Sequence, residues 1–65
     1  MNTSPTPLQI KLARLNALLS QAQAARLINR TMASWHLYES GKLKMDVALW
    51  ERFLNELNIT EAKND

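Results

Sequence analysis

Hydrophobic side chains recur every three or four residues along most of the chain, which is the spacing of an α-helix. No stretch shows the strict apolar–polar alternation of a half-buried strand. The pattern predicts helices over residues 7–18, 21–28, 32–40 and 47–58. The predicted fold class is therefore all-α, a small domain of four helices with at most a short fifth.

Polar residues with capping chemistry stand at the start of each predicted helix. Thr6 and Ser20 are each followed three residues later by a glutamine, which is the spacing of a capping box. Pro7 suits the first helical position, because its missing N–H needs no partner there. The two remaining helices have single predicted caps, Thr31 and Asp46.

The first predicted helix has a leucine stripe at positions i, i+4, i+7 and i+11, made of Leu8, Leu12, Leu15 and Leu19. We expect this stripe to face the core. The last predicted helix has a wide apolar face. A domain of 65 residues without cysteine has a small core and no disulfide, so we expect part of that face to form a homodimer interface. The candidate interface residues are Trp50, Phe53, Leu54 and Leu57.

Residues 20–41 predict two short helices joined by a tight corner, which is the pattern of a helix-turn-helix. Asn29 tolerates the left-handed backbone that a sharp exit from the first of these helices requires, and Gly41 suits the same role after the second. Trp35 and Tyr38 are three residues apart on one side of the second helix. That spacing favours core packing over a platform for stacking on bases.

In this register the chain resembles the Cro/repressor (XRE-type) helix-turn-helix family, of the kind found in phages and mobile elements. The resemblance covers residues 8–54. Gln21 stands at the start of the family's second helix, Ala25 where its second and third helices cross, and Asn29 in place of its turn glycine. The segment from Tyr38 to Gly41 matches the family's W-E-x-G close, with Tyr for Trp. The resemblance implies a lambda-repressor-like domain that binds double-stranded DNA.

A domain of this kind presents its third helix to the major groove. The outward side chains of that helix are predicted to be Met32, Ala33, His36, Leu37 and Ser40, and we assign base contacts to the first four. The apolar members can contact thymine methyl groups, and His36 can bond to guanine or to a phosphate. An apolar helix face also suits a protein partner, so the sequence leaves both interpretations open.

Phosphate contacts are assigned to polar and basic residues around that helix: Gln21, Arg30, Thr31, Lys42 and Lys44. The resemblance implies that Gln21 holds a phosphate at a helix N-terminus, the alternative being an ordinary first-turn residue. The resemblance also implies a buried ion pair between Arg14 and Glu39 that fixes the first helix to the third. The alternative is two solvated surface charges, which contribute little to stability.

Charge is distributed unevenly, although the net charge is only +2. Residues 11–44 hold six basic side chains and one acidic one, whereas residues 45–65 hold two basic and five acidic ones. The basic segment therefore coincides with the helix-turn-helix, and a basic surface attracts phosphate. With one histidine and no cysteine, we expect no metal site, and no apolar run has the length of a membrane span.

Together these observations predict a cytoplasmic transcriptional regulator of a prokaryotic or phage-infected cell, spanning residues 6–58 between terminal tails at 1–5 and 59–65. We expect a repressor that binds an inverted repeat as a homodimer and controls a phage or anti-CRISPR operon, with no cofactor and no small-molecule ligand. The alternative is a protein-interaction module, an antitoxin or inhibitor, that docks through the third helix. An enzyme is not expected, because the candidate carboxylates Glu51 and Glu56 point to different sides of a helix.

Overall fold

Four helices follow one another in a computed structural model that describes residues 4–62, with side chains described through residue 58. Their bounds are α1 (Pro7–Asn16), α2 (Gln21–Leu27), α3 (Met32–Ser40) and α4 (Val47–Ala62). No strand occurs within that part of the chain. The predicted all-α, four-helix fold is confirmed.

The predicted caps start the helices as expected. Thr6 and Ser20 each form a complete capping box with the glutamine three residues later, through hydrogen bonds of 2.8–3.1 Å. The Thr31 hydroxyl and the Asp46 carboxylate each accept one backbone N–H at 3.1 Å, from α3 and α4 respectively. These bonds satisfy N–H groups that have no partner inside a helix.

The first three helices all end in the same backbone geometry. Each is followed by a residue with positive φ: Leu18 (59°), Asn29 (59°) and Gly41 (82°). The N–H groups of that residue and the next one bond back to carbonyls of the last turn, which is the Schellman motif. The roles predicted for Asn29 and Gly41 are confirmed. At Leu18, where a glycine would be unstrained, the left-handed backbone costs about 1–2 kcal/mol, and α1 ends two residues earlier than predicted.

The leucine stripe of α1 points away from the core, so that prediction was wrong. Three of its members are 63%, 48% and 46% exposed, namely Leu8, Leu12 and Leu15. Leu19 is partly buried, but it lies after the helix has ended. The inward face instead carries Ile10, which is fully buried, and Arg14 one turn later, which is bound to α3. Both faces of α1 satisfy helical periodicity, so contacts with distant residues, and not the local pattern, select the face that packs.

Three aromatic side chains form the centre of the core. The Trp35 and Phe53 ring centroids lie 4.9 Å apart, and Tyr38 meets Trp35 edge-on at 6.4 Å. The predicted inward placement of Trp35 and Tyr38 is confirmed, since both are buried. The small residues Ala24 and Ala25 of α2 are also buried in this core, and the predicted role of Ala25 at the crossing of α2 and α3 stays a prediction.

Two features extend past the predicted range of 6–58, and the domain boundaries themselves stay a prediction. Pro5 is buried, so packing begins before the expected end of the N-terminal tail. Helix α4 continues to Ala62, four residues past its predicted end at Asn58, because neither glycine nor proline follows to break it. Residues 1–3 and 63–65, which belong to the two predicted tails, lie outside the described residues.

Candidate nucleic-acid interface

The outward face of α3 is exposed as predicted. Met32 is 57% exposed and Leu37 37%, and the side chains of Ala33 and His36 are also exposed. The opposite side of the helix holds Trp35 and Tyr38 in the core, which fixes the rotation of α3 about its axis. The structure therefore brings the four predicted base-contacting residues to one accessible surface.

The Glu39 carboxylate joins α3 to α1 and α2 through hydrogen bonds. Glu39 accepts two hydrogen bonds from Arg14, at 2.5 Å from Nε and 3.2 Å from Nη2. It also accepts the indole N–H of Trp35 and, at 3.2 Å, the side-chain amide of Gln21. Arg14 donates a further bond of 2.9 Å to the Leu19 carbonyl. We call these four side chains, Arg14, Gln21, Trp35 and Glu39, the Glu39 hub.

The predicted ion pair between Arg14 and Glu39 is confirmed, and it is largely shielded from solvent. The two side chains are only 12% and 7% exposed. Burial by itself raises the pKa of Glu39, but the hydrogen bonds from Arg14, Trp35 and Gln21 outweigh it, and the pKa lies below its ordinary value of 4.5. Glu39 is therefore ionised at neutral pH and fixes α1 and the start of α2 onto α3.

Two of the predicted phosphate-contacting residues already have partners within the fold. The Gln21 amide donates one bond to Glu39, which holds the side chain against the hub and leaves its second N–H for another acceptor. The Thr31 hydroxyl accepts the N–H of Ser34 and donates to its side-chain oxygen, both at 3.1 Å. Phosphate binding by either residue stays a prediction. The sequence did not reveal the bond between Gln21 and Glu39, because those residues are 18 positions apart.

A groove with a basic rim lies beside α3, where Tyr38 forms part of its lining. Its lining comes from the turn before α3, the loop after it, and α4, and it includes Arg30, Lys44 and Arg52. Lys42, also predicted to contact phosphate, is exposed in the loop but does not line this groove. Sequence reasoning missed Arg52, because it lies on a different helix, 22 residues after Arg30.

The candidate dimer residues on α4 differ in accessibility. Leu54 is 41% exposed, whereas Trp50 and Leu57 are half-buried against the core. Phe53 is fully enclosed by its own chain and stacks on Trp50 with ring centroids 6.1 Å apart. Phe53 therefore has no surface to offer a partner, and its assignment to the interface is corrected to the core.

A family model described as "Helix-turn-helix domain" matches residues 8–64, most of the chain. The chain belongs to this helix-turn-helix family. Membership implies DNA binding, and it agrees with the tight turn between α2 and α3 and with the exposed outer face of α3. A comparison with curated proteins gives no significant match.

Two further features of the described residues bear on the interface. No helix among them has the length and apolarity that crossing a membrane requires. No group of three or more histidine, cysteine, aspartate or glutamate side chains is gathered at a metal-binding distance in that same part of the chain.

Proposed function

We propose that this protein is a sequence-specific regulator of transcription, a repressor of the XRE type, that reads double-stranded DNA through α3. Helix α3 lies in the major groove, with Met32, Ala33, His36 and Leu37 towards the base edges. The observation that supports the proposal is that the outer face of α3 is exposed while its inner face is held by the core and by the hydrogen bonds of Glu39.

Anchorage matters because base recognition depends on holding side chains in one position. Trp35 and Tyr38 fix the rotation of α3 through the core, and Glu39 fixes it to α1 through Arg14. A helix held this way presents its outer side chains without a large loss of conformational entropy on binding. Apolar contacts to thymine methyl groups then suit an outer face built mainly from methionine, alanine and leucine.

Repression follows from occupancy of the promoter by a homodimer on an inverted repeat. Two copies related by a two-fold axis would place their α3 helices in successive major grooves, about 34–36 Å apart. The exposed part of α4, with Leu54 and the outer edges of Trp50 and Leu57, is the proposed contact between copies. Control of a phage or anti-CRISPR operon is the proposed setting.

The test selects preferred sequences from a random pool of duplex DNA and then compares variants on the selected operator. His36→Ala and Leu37→Ala should each weaken operator binding by about 1–3 kcal/mol, while binding to random DNA persists. Leu12→Ala is the matched control, because Leu12 is also an exposed leucine but lies on α1. If the His36 and Leu37 variants bind the operator as tightly as the control, α3 does not read the bases.

A second candidate function is a protein-interaction module, an antitoxin or inhibitor. It is favoured by the apolar character of the same surface, with Met32 and Leu37 both exposed. The two functions differ in their response to salt. Binding to random duplex DNA that falls steeply with added salt indicates phosphate contacts, whereas a module that binds protein shows little DNA binding even at low salt.

A further inference from the structure

We propose that Arg52, on α4, binds DNA phosphate, and that it forms with Arg30 and Lys44 a three-cation groove for one phosphate group. This proposal rests on the proposed function and extends it to a part of the fold outside the helix-turn-helix. The phosphate belongs to the DNA strand that borders α3 on the side away from the Glu39 hub.

The first step is the convergence of three separate chain segments. Arg30 comes from the turn before α3, Lys44 from the loop after it, and Arg52 from the second turn of α4, and all three line one groove. All three side chains are exposed, so their charges are accessible to a ligand. Positively charged groups repel one another, so a groove that collects three of them is a favourable place for an anion.

One acid also lines the groove. The Asp46 carboxylate accepts the N–H of Ala48 at 3.1 Å, which commits it to capping α4. Within the described part of the chain it makes no ion pair with any of the three cations. The formal charge of the four groups is three positive minus one negative, or +2. Two of the three cations are arginines, whose planar guanidinium groups can bind phosphate through paired hydrogen bonds.

The second step is the position of the groove relative to α3. Successive residues of a helix point about 100° apart, so Leu37, Tyr38 and Glu39 face three different directions. Leu37 faces outward, Glu39 faces the hub that contains Gln21, and Tyr38 lines the three-cation groove. Tyr38 and Glu39 are about 100° apart around the helix axis, so the groove and the hub lie on different sides of α3.

That arrangement matches the shape of the major groove. The groove is about 12 Å wide and has a phosphate strand along each wall, so a helix inside it has one strand on either flank. In the proposed complex, with Leu37 towards the bases, Gln21 lies near one strand and the three cations lie near the other. Contacts on both walls fix the register of a helix in the groove, although they carry no sequence information themselves.

The experiment measures binding of a random-sequence DNA duplex by fluorescence anisotropy between 50 and 200 mM salt. Arg52→Gln should lower the slope of log affinity against log salt by about one unit, which is the loss of one phosphate contact. Its binding defect should accordingly be about fourfold larger at 50 mM than at 200 mM salt. Arg52→Lys, which keeps the charge, should retain most of the slope.

The matched control is Arg26→Gln. Arg26 is also an exposed arginine, but it lies on α2 outside the groove, and its replacement removes the same unit of charge. Equal slopes for Arg52→Gln and Arg26→Gln, with normal binding by the unaltered protein, would overturn the groove and leave the proposed function standing. A protein that shows no salt-dependent binding before any substitution would overturn both. Thermal unfolding confirms that each variant is folded.

Discussion

Removal of the Glu39 carboxylate is the most direct test of how this small domain holds its recognition helix. In the unaltered protein the Arg14 side chain is only 12% exposed. Glu39→Ala removes its carboxylate partner and also removes the acceptor of the buried Trp35 indole N–H. Breaking a buried ion pair by removing one partner costs about 3–5 kcal/mol. A domain of 65 residues has a free energy of unfolding of about 3–10 kcal/mol, so this loss removes a large part of it.

The assay is thermal unfolding followed by circular dichroism at neutral pH. Each kcal/mol lowers the unfolding temperature of a domain of this size by about 4–8 °C, so Glu39→Ala should lower it by at least about 12 °C. The matched control is Glu51→Ala, because Glu51 is an exposed glutamate on α4. An unfolding temperature for Glu39→Ala that equals that of the control would refute the hub as a source of stability.

A double substitution separates the net contribution of the pair from the cost of an unpaired charge. Replacing both Arg14 and Glu39 by methionine removes the buried charges together, and such replacements are often neutral or stabilising. The double variant should therefore be more stable than Glu39→Ala alone. A double variant as unstable as the single one would show that the hydrogen bonds to Trp35 and Gln21 carry the effect.

Acid provides a second measurement on the same group. Because the pKa of Glu39 is lower in the folded state than its ordinary value of 4.5, the folded state favours the ionised form. The stabilisation is complete above the unfolded pKa and is lost as the pH falls through the folded one. The difference in unfolding temperature between the unaltered protein and Glu39→Gln should therefore shrink below pH 4.5. A difference that stays constant down to pH 2 contradicts this assignment.

Three further outcomes are expected. Joint replacement of Lys42 and Lys44 by alanine should weaken binding to all DNA sequences alike. It should also lower the slope of log affinity against log salt by about one unit for each lost contact. Unchanged affinity at low salt would remove both lysines from the interface. Ile10→Ala should lower the free energy of unfolding by about 2–5 kcal/mol, because Ile10 is fully buried. Leu12→Gln should change it by no more than about 0.5 kcal/mol, because Leu12 is exposed, and chemical denaturation measures both values. Sedimentation at micromolar concentration should show a dimer that Leu54→Glu converts to monomer, and a clean monomer that binds an inverted repeat as a single unit contradicts the dimer.

The features that the sequence by itself determined are those decided within a few residues. Thr6 and Ser20 start helices because each finds its capping partner three positions later. Asn29 and Gly41 end helices because they tolerate the left-handed backbone of a Schellman motif. Local hydrogen bonding and backbone sterics are sufficient for these outcomes, so the helix count and the corner between α2 and α3 could be predicted with no tertiary information.

The tertiary structure decided two kinds of feature. In one kind, the local sequence pattern fits two orientations of a helix equally well. In the other, residues distant in the sequence come into contact. Both faces of α1 had helical periodicity, and the face that packs carries buried Ile10 and Arg14, which bonds to Glu39 25 residues away, so the leucine stripe points outward. The same long-range packing bound Gln21 to Glu39 and brought Arg52 into the groove beside α3. Periodicity shows that a helix has a face but not which neighbour covers it, because burial depends on contacts between segments that no local pattern encodes.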